Sequence, residues 1–108
     1  MSRFKKKIEE MKAKRDWLGT VQFVQERLES EDEMSPTERA ELYSAAGFAH
    51  CQLGEFERAL SMYELWKEMS PKSAAARYCI GYVYAQMGRY PEAVAWFDEA
   101  LKLRPRYI

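Results

Sequence analysis

Histidine is nearly missing from this chain, and cysteine, proline and glycine are scarce. One His and two Cys in 108 residues leave no clustered ligand set, and Cys51 and Cys79 fit no zinc spacing with only His50 near them. Both thiols read as free and packed, in a reducing compartment. Five Gly and four Pro argue against a turn-dense all-β fold. No window approaches the ~20 apolar residues that a membrane span needs. Met1 to Lys14 is basic but lacks the continuous apolar run of a signal peptide. Charge of one sign is also lacking, since 17 Lys and Arg meet 17 Asp and Glu; that balance gives no general pull toward nucleic acid or membrane. A soluble, cytoplasmic protein without metal or cofactor is the expectation.

What is present points to helices. The chain is 47% hydrophobic and 14% aromatic, too apolar for disorder, and rich in Ala, Glu, Lys, Leu and Arg. Its length fits one domain or a few repeats with a modest core. Net neutrality hides a local asymmetry. Residues 1–15 carry Arg3, Lys5, Lys6, Lys7, Lys12, Lys14 and Arg15 against Glu9 and Glu10, while Glu29, Glu31, Asp32 and Glu33 crowd the stretch that follows. Two solvated helix faces account for this, and attraction between neighbouring helices or chains is the alternative.

Sliding the sequence by 34 positions brings its punctuation into register. Gly47 falls on Gly81, Gly54 on Gly88, Pro71 on Pro105, Ala40 on Ala74, Gln52 on Gln86 and Ala59 on Ala93. Similar residues fill the gaps: Leu53 with Met87, Phe56 with Tyr90, Leu60 with Val94, Tyr63 with Phe97, Met69 with Leu103. Apolar residues between these marks recur at three- and four-residue steps. Gly54 and Gly88 stand where a helix ends in a left-handed residue. Pro71 and Pro105 stop the second helix of each pair, and Pro91 sits harmlessly in a first turn. Ser35-Pro36-Thr37-Glu38 spells a capping box with proline at the first helical position. Six helices follow, near 2–14, 16–29, 36–53, 55–69, 73–87 and 89–103, in three segments: a degenerate N-terminal pair with an acidic linker (1–34), a first full copy (35–71), and a second copy with the chain end (72–108).

The chain resembles the tetratricopeptide repeat family on these residues. The last copy carries Ile80, Gly81, Tyr84, Ala93, Phe97 and Pro105, and the middle copy Tyr43, Gly47, Ala59, Tyr63 and Pro71. The departures are Ala46, His50 and Arg77 at positions where the family prefers Leu, Tyr and an aromatic, and Trp66 in place of an Ala. Trp66 is too large for a tight crossing, so it fills a wider gap or joins a contact surface. The resemblance implies an all-α fold, a right-handed α-solenoid of antiparallel helix pairs. Gly47, Gly81, Ala59 and Ala93 are then small because helices cross closely there.

The resemblance also implies a function: the first helix of each pair lines a concave side that binds a peptide or helix of another protein. The groove-facing pattern selects Glu41, Ser44, Phe48, Cys51 and Gln52 from one repeat, and Ala75, Tyr78, Cys79, Tyr82 and Gln86 from the next. That surface is aromatic and nearly uncharged, suited to apolar or aromatic side chains of a partner. The alternative is that Phe48, Tyr78 and Tyr82 merely pack between repeats. Some family members clamp a heat-shock chaperone's terminal carboxylate with Lys, Asn and Arg. Ser44, Phe48, Ala75 and Cys79 occupy the corresponding positions here, so no such clamp is expected.

Other function classes find less support. His50 and its neighbour Cys51 diverge by about 100° around a helix and form no dyad by adjacency, and there is no Gly-rich phosphate loop; no enzyme is expected. Nucleic-acid binding would fall to the basic first helix with Arg104 and Arg106, against a neutral net charge. Self-assembly is the serious rival. The expectation is that the last pair lacks a cap, so Phe97, Leu101, Tyr107 and Ile108 form a candidate contact between copies.

Overall fold

The computed structural model describes residues 2–106. It contains α1 (Lys5–Ala13), α2 (Trp17–Glu29), α3 (Pro36–Gln52), α4 (Phe56–Met69), α5 (Ala74–Gln86) and α6 (Tyr90–Leu103), with no strand among the described residues. All six expected helices are present, their ends shifted by at most three residues. The largest shift is at α1, where Phe4 occupies the cap position without a side-chain cap and its N–H donates to Ser2 Oγ at 3.1 Å.

Local chemistry sets the boundaries. The Ser35 hydroxyl accepts from Glu38 N at 3.1 Å, and the Glu38 carboxylate accepts from Ser35 N at 3.0 Å, a complete capping box. Asp16 and Ser73 cap α2 and α5 by accepting from Gly19 N and Ala76 N. The turn inside each pair is one device used three times. Arg15, Gly54 and Gly88 have positive φ, of 56°, 76° and 78°, which is why glycine suits two of these positions. The residue after each sends its N–H back to a carbonyl of the first helix. Asp16 N donates to Met11 O at 2.9 Å, Glu55 N to His50 O at 2.8 Å and Arg89 N to Tyr84 O at 2.9 Å. Thus α1 and α2 close with the turn of the other two pairs. Arg15 nevertheless lies 39 positions before Gly54, against 34 from Gly54 to Gly88. The acidic connection between α2 and α3 absorbs the extra length.

Substantial packing occurs only between helices consecutive in sequence, and the described chain extends 38 × 26 × 22 Å. That is an open helical solenoid, since a closed bundle would bring its first and last helices together. Two apolar clusters lie along it. Phe4, Val24, Leu42 and Ala46 join the first pair to the second, with Ile8, Phe23 and Met62 packed around them. Cys51, Ala59, Tyr63, Ile80 and Val83 join the second pair to the third, with Phe56, Leu60, Trp66 and Trp96 around them. The helix glycines mark the close crossings. A Cβ on Gly47 would lie 2.5 Å from the Tyr63 ring, and one on Gly81 would lie 2.7 Å from the Phe97 ring.

Candidate partner-binding groove

The concave side follows from these crossings. With Gly47 under Tyr63 and Gly81 under Phe97, each first helix sits close to its own second helix and turns its remaining face outward. Between α1, α3 and α5 that face encloses a cavity of about 300 Å³. Its wall is aromatic, formed by Trp17, Phe48, Tyr63 and Trp66, with Ile8 and Cys79 beside them. Trp17 meets Phe48 edge-on, with centroids 5.4 Å apart, and Lys12 Nζ stands 4.8 Å from the centroid of the same ring. Phe48 is therefore fixed from two sides and presents a rigid apolar surface.

The residues selected from the sequence separate into two groups. Glu41, Ser44, Phe48 and Cys79 line the cavity together. Farther along the same row, Ala75 is half-buried and Tyr78 packs on Phe97 with centroids 5.1 Å apart. Tyr82 is 38% exposed, and Gln52 and Gln86 are exposed at the ends of α3 and α5. Cys51 is buried in the core cluster. Trp66 both packs against that cluster and lines the cavity. Of the candidate contacts between copies, Phe97 and Leu101 are half-buried on α6; Tyr107 and Ile108 lie outside the described residues.

Sequence reasoning did not select the contribution of α1. Lys5, Glu9 and Lys12 line the cavity rim and are exposed. The offset of 39 places them on Ser44, Phe48 and Cys51, of which Ser44 and Phe48 line the same cavity. The shared turn was the signal that could have found them, obscured by Arg15 standing where the other copies carry glycine.

Burial governs the chemistry of the wall. It raises the Cys51 thiol above its ordinary value and pushes Cys79 up to about 11. Burial also raises the Tyr63 hydroxyl, reinforced by its proximity to Cys79. All three stay neutral near neutral pH, so the wall behaves as an apolar surface. His50 is buried, with Nδ1 2.8 Å from Glu55 Oε1. Glu41 is the exception to a satisfied site, since its Oε1 is enclosed and lacks a hydrogen-bond partner. A second hollow, lined by Ser2, Ser35, Thr37 and Glu38, shares Lys5 and Glu41 with the first. Among the described residues, no group of three or more His, Cys, Asp or Glu could hold a metal ion, and no helix is long and apolar enough to cross a membrane.

Residues 74–107 match the family model of the tetratricopeptide repeat. No curated protein matches the chain.

Proposed function

On the match of residues 74–107 to the tetratricopeptide repeat, we propose that this chain is a protein–protein interaction module that holds a partner peptide or helix in the groove between α1, α3 and α5. The observation that supports this reading is the aromatic wall around a cavity of about 300 Å³. It is large enough for partner side chains and is already rigid, so little ordering entropy opposes binding. Trp17, Phe48, Tyr63 and Trp66 make the wall of the groove aromatic. The four charged residues at the cavity, Lys5, Lys12, Glu9 and Glu41, cancel in formal charge. Ser44, Phe48, Ala75 and Cys79 offer no clamp for a chaperone's terminal carboxylate, which is not among the ligands proposed. Nor is a catalytic role proposed, because His50 is buried and committed to Glu55. Its two free thiols suit the reducing cytoplasm.

Selection of random peptides displayed on phage tests the groove. Wild-type protein should enrich peptides with aromatic or branched apolar residues, and Phe48→Ala with Tyr82→Ser should bind them at least about tenfold more weakly. Undiminished binding by a variant that keeps its circular dichroism would remove the groove from consideration.

A scaffold that assembles with its own kind is a second reading, supported by one internal comparison. Phe56 and Leu60 are packed into the core against residues of α5. Their counterparts on α6, Tyr90 and Val94, are 64% and 56% exposed. Light scattering across a concentration series decides it. Mass should rise with concentration for wild type and stay monomeric for Val94→Glu, and a strictly monomeric wild type ends this reading.

A further inference from the structure

The groove leaves one polar atom without an explanation. Glu41 Oε1 is enclosed and has no hydrogen-bond partner among the described residues, and its side chain borders both hollows. The ion pairs of the described residues do not include Glu41. A carboxylate oxygen taken from water without a donor is a standing energetic cost, the kind that a ligand's donor relieves. Its charged neighbours are in a different position. Lys5, Glu9 and Lys12 are exposed, keep their hydration, and gain little from a guest.

We infer that the partner segment presents a lysine or arginine side chain to Glu41, next to an aromatic or branched aliphatic residue seated on Phe48 and Trp66. This deepens the groove reading and rests on it. Three observations select this chemistry. The unsatisfied group is an anion, and a charge-assisted bond to an ammonium or guanidinium is the strongest remedy available to it. The aromatic wall lies in the same cavity as Glu41, so a basic residue and its apolar neighbour can engage together. An acidic guest would meet Lys5 and Lys12 only at the open rim, where water and salt screen the attraction, and would bring a second anion beside Glu41.

The test repeats the selection, with a phage-displayed library of random dodecapeptides, on wild type, Glu41→Gln, Glu64→Gln and Phe48→Ala. Gln keeps the size of Glu and removes a charge that has one oxygen enclosed and unpaired, so Glu41→Gln should melt no lower than wild type. Wild-type peptides should share a Lys or Arg beside an apolar residue. A synthetic copy of one should bind Glu41→Gln roughly ten- to a hundredfold more weakly, as expected for a charged hydrogen bond. Replacing its basic residue by norleucine should cost wild type the same factor and cost Glu41→Gln nothing further, while Glu64→Gln, at an exposed position of α4 away from the cavity, should bind as wild type does. Peptides that need Phe48 but carry no basic residue, that carry an acidic one instead, or that ignore Glu41→Gln would overturn this inference and leave the groove standing. Peptides indifferent to Phe48→Ala, or no enrichment at all, would overturn both.

Discussion

Replacing Gly47 with alanine tests the packing rule on which the groove depends, because two opposing effects can be weighed. Alanine inside a helix is favoured over glycine by about 1 kcal/mol, so an open site would gain stability. At Gly47 the new Cβ would lie 2.5, 2.6 and 2.9 Å from Cε1, Cδ1 and Cζ of Tyr63, all closer than real Cβ contacts allow. The ring has little room to yield, being 2% exposed with the Trp66 ring centroid 6.0 Å away. Overpacking costs about 1–3 kcal/mol, and with three ring atoms of Tyr63 this close the upper part of that range, about 2–3 kcal/mol, applies and outweighs the helix-propensity gain. The net loss of about 1–2 kcal/mol corresponds to a Tm drop of roughly 5–15 °C for a chain of this size. Gly81→Ala should be milder. Its Cβ would meet the Phe97 ring at 2.7 Å and Ala93 O at 3.1 Å, but Phe97 is half-buried on the open flank and its ring can tilt outward. Thermal unfolding followed by far-ultraviolet circular dichroism measures both, and Tyr63→Leu completes a double-mutant cycle in which the Gly47→Ala loss should shrink. A Gly47→Ala protein that melts at or above wild type, or a loss of the same size in the Tyr63→Leu background, would refute the close-crossing argument.

Four further outcomes follow from the turns, caps and thiols. Arg15→Gly should raise Tm by a few degrees, since a left-handed non-glycine residue costs about 1–2 kcal/mol and the same turn uses Gly54 and Gly88; an unchanged or lower Tm contradicts this. Ser35→Ala should cost about 1 kcal/mol in urea unfolding through loss of the α3 cap. Ser35 N–H, and after it Arg3, hold the Glu38 carboxyl below its ordinary value of 4.5. Its contribution is therefore present above that pH and lost as pH falls through the lower folded value. Glu38→Gln should then flatten the acid limb of the stability profile, and an identical limb would show that Glu38 does not contribute. Cys79, pushed up to about 11 from an ordinary 9.0, should alkylate at pH 8 roughly a hundredfold more slowly than a free thiol. Labelling of the native protein as fast as that of the urea-unfolded chain would refute this.

The fold was legible because its strongest constraints fall on residues that tolerate few substitutes. A left-handed turn asks for glycine, which Gly54 and Gly88 supply, and a helix crossing beneath an aromatic ring asks for the smallest side chain, which Gly47 and Gly81 supply. These marks recur at 34, so the period could be read without homologues. The site was legible only in part. Glu41, Ser44, Phe48 and Cys79 lie on the copies that carry the glycines, and one offset located them. Tyr63 and Trp66 belong to α4 and were not among the residues selected for the groove, and Trp66 was left between a wider gap and a contact surface, yet both line the cavity. Lys5, Glu9 and Lys12 escaped selection because Arg15 accepts a positive φ without being glycine, and the longer acidic connection shifts the first pair out of register.

That shift divides the work of the groove between its repeats. The second and third pairs supply most of the apolar wall through Phe48, Tyr63, Trp66 and Cys79, and the first pair supplies Trp17, Ile8 and most of the charge. Apolar contacts are roughly proportional to area and indifferent to direction, so the wall alone would accept many side chains. Discrimination must come from groups that penalise a wrong guest, and a carboxylate with one oxygen enclosed and unpaired does so more strongly than exposed lysines. Glu41 stands where the two contributions meet, on α3 but facing the hollow that α1 closes. Lys12 lies over the same Phe48 ring that Trp17 meets edge-on, so the first pair also holds the rigid part of the wall in place. On the proposed groove reading, selectivity therefore resides at the junction between the first and second pairs.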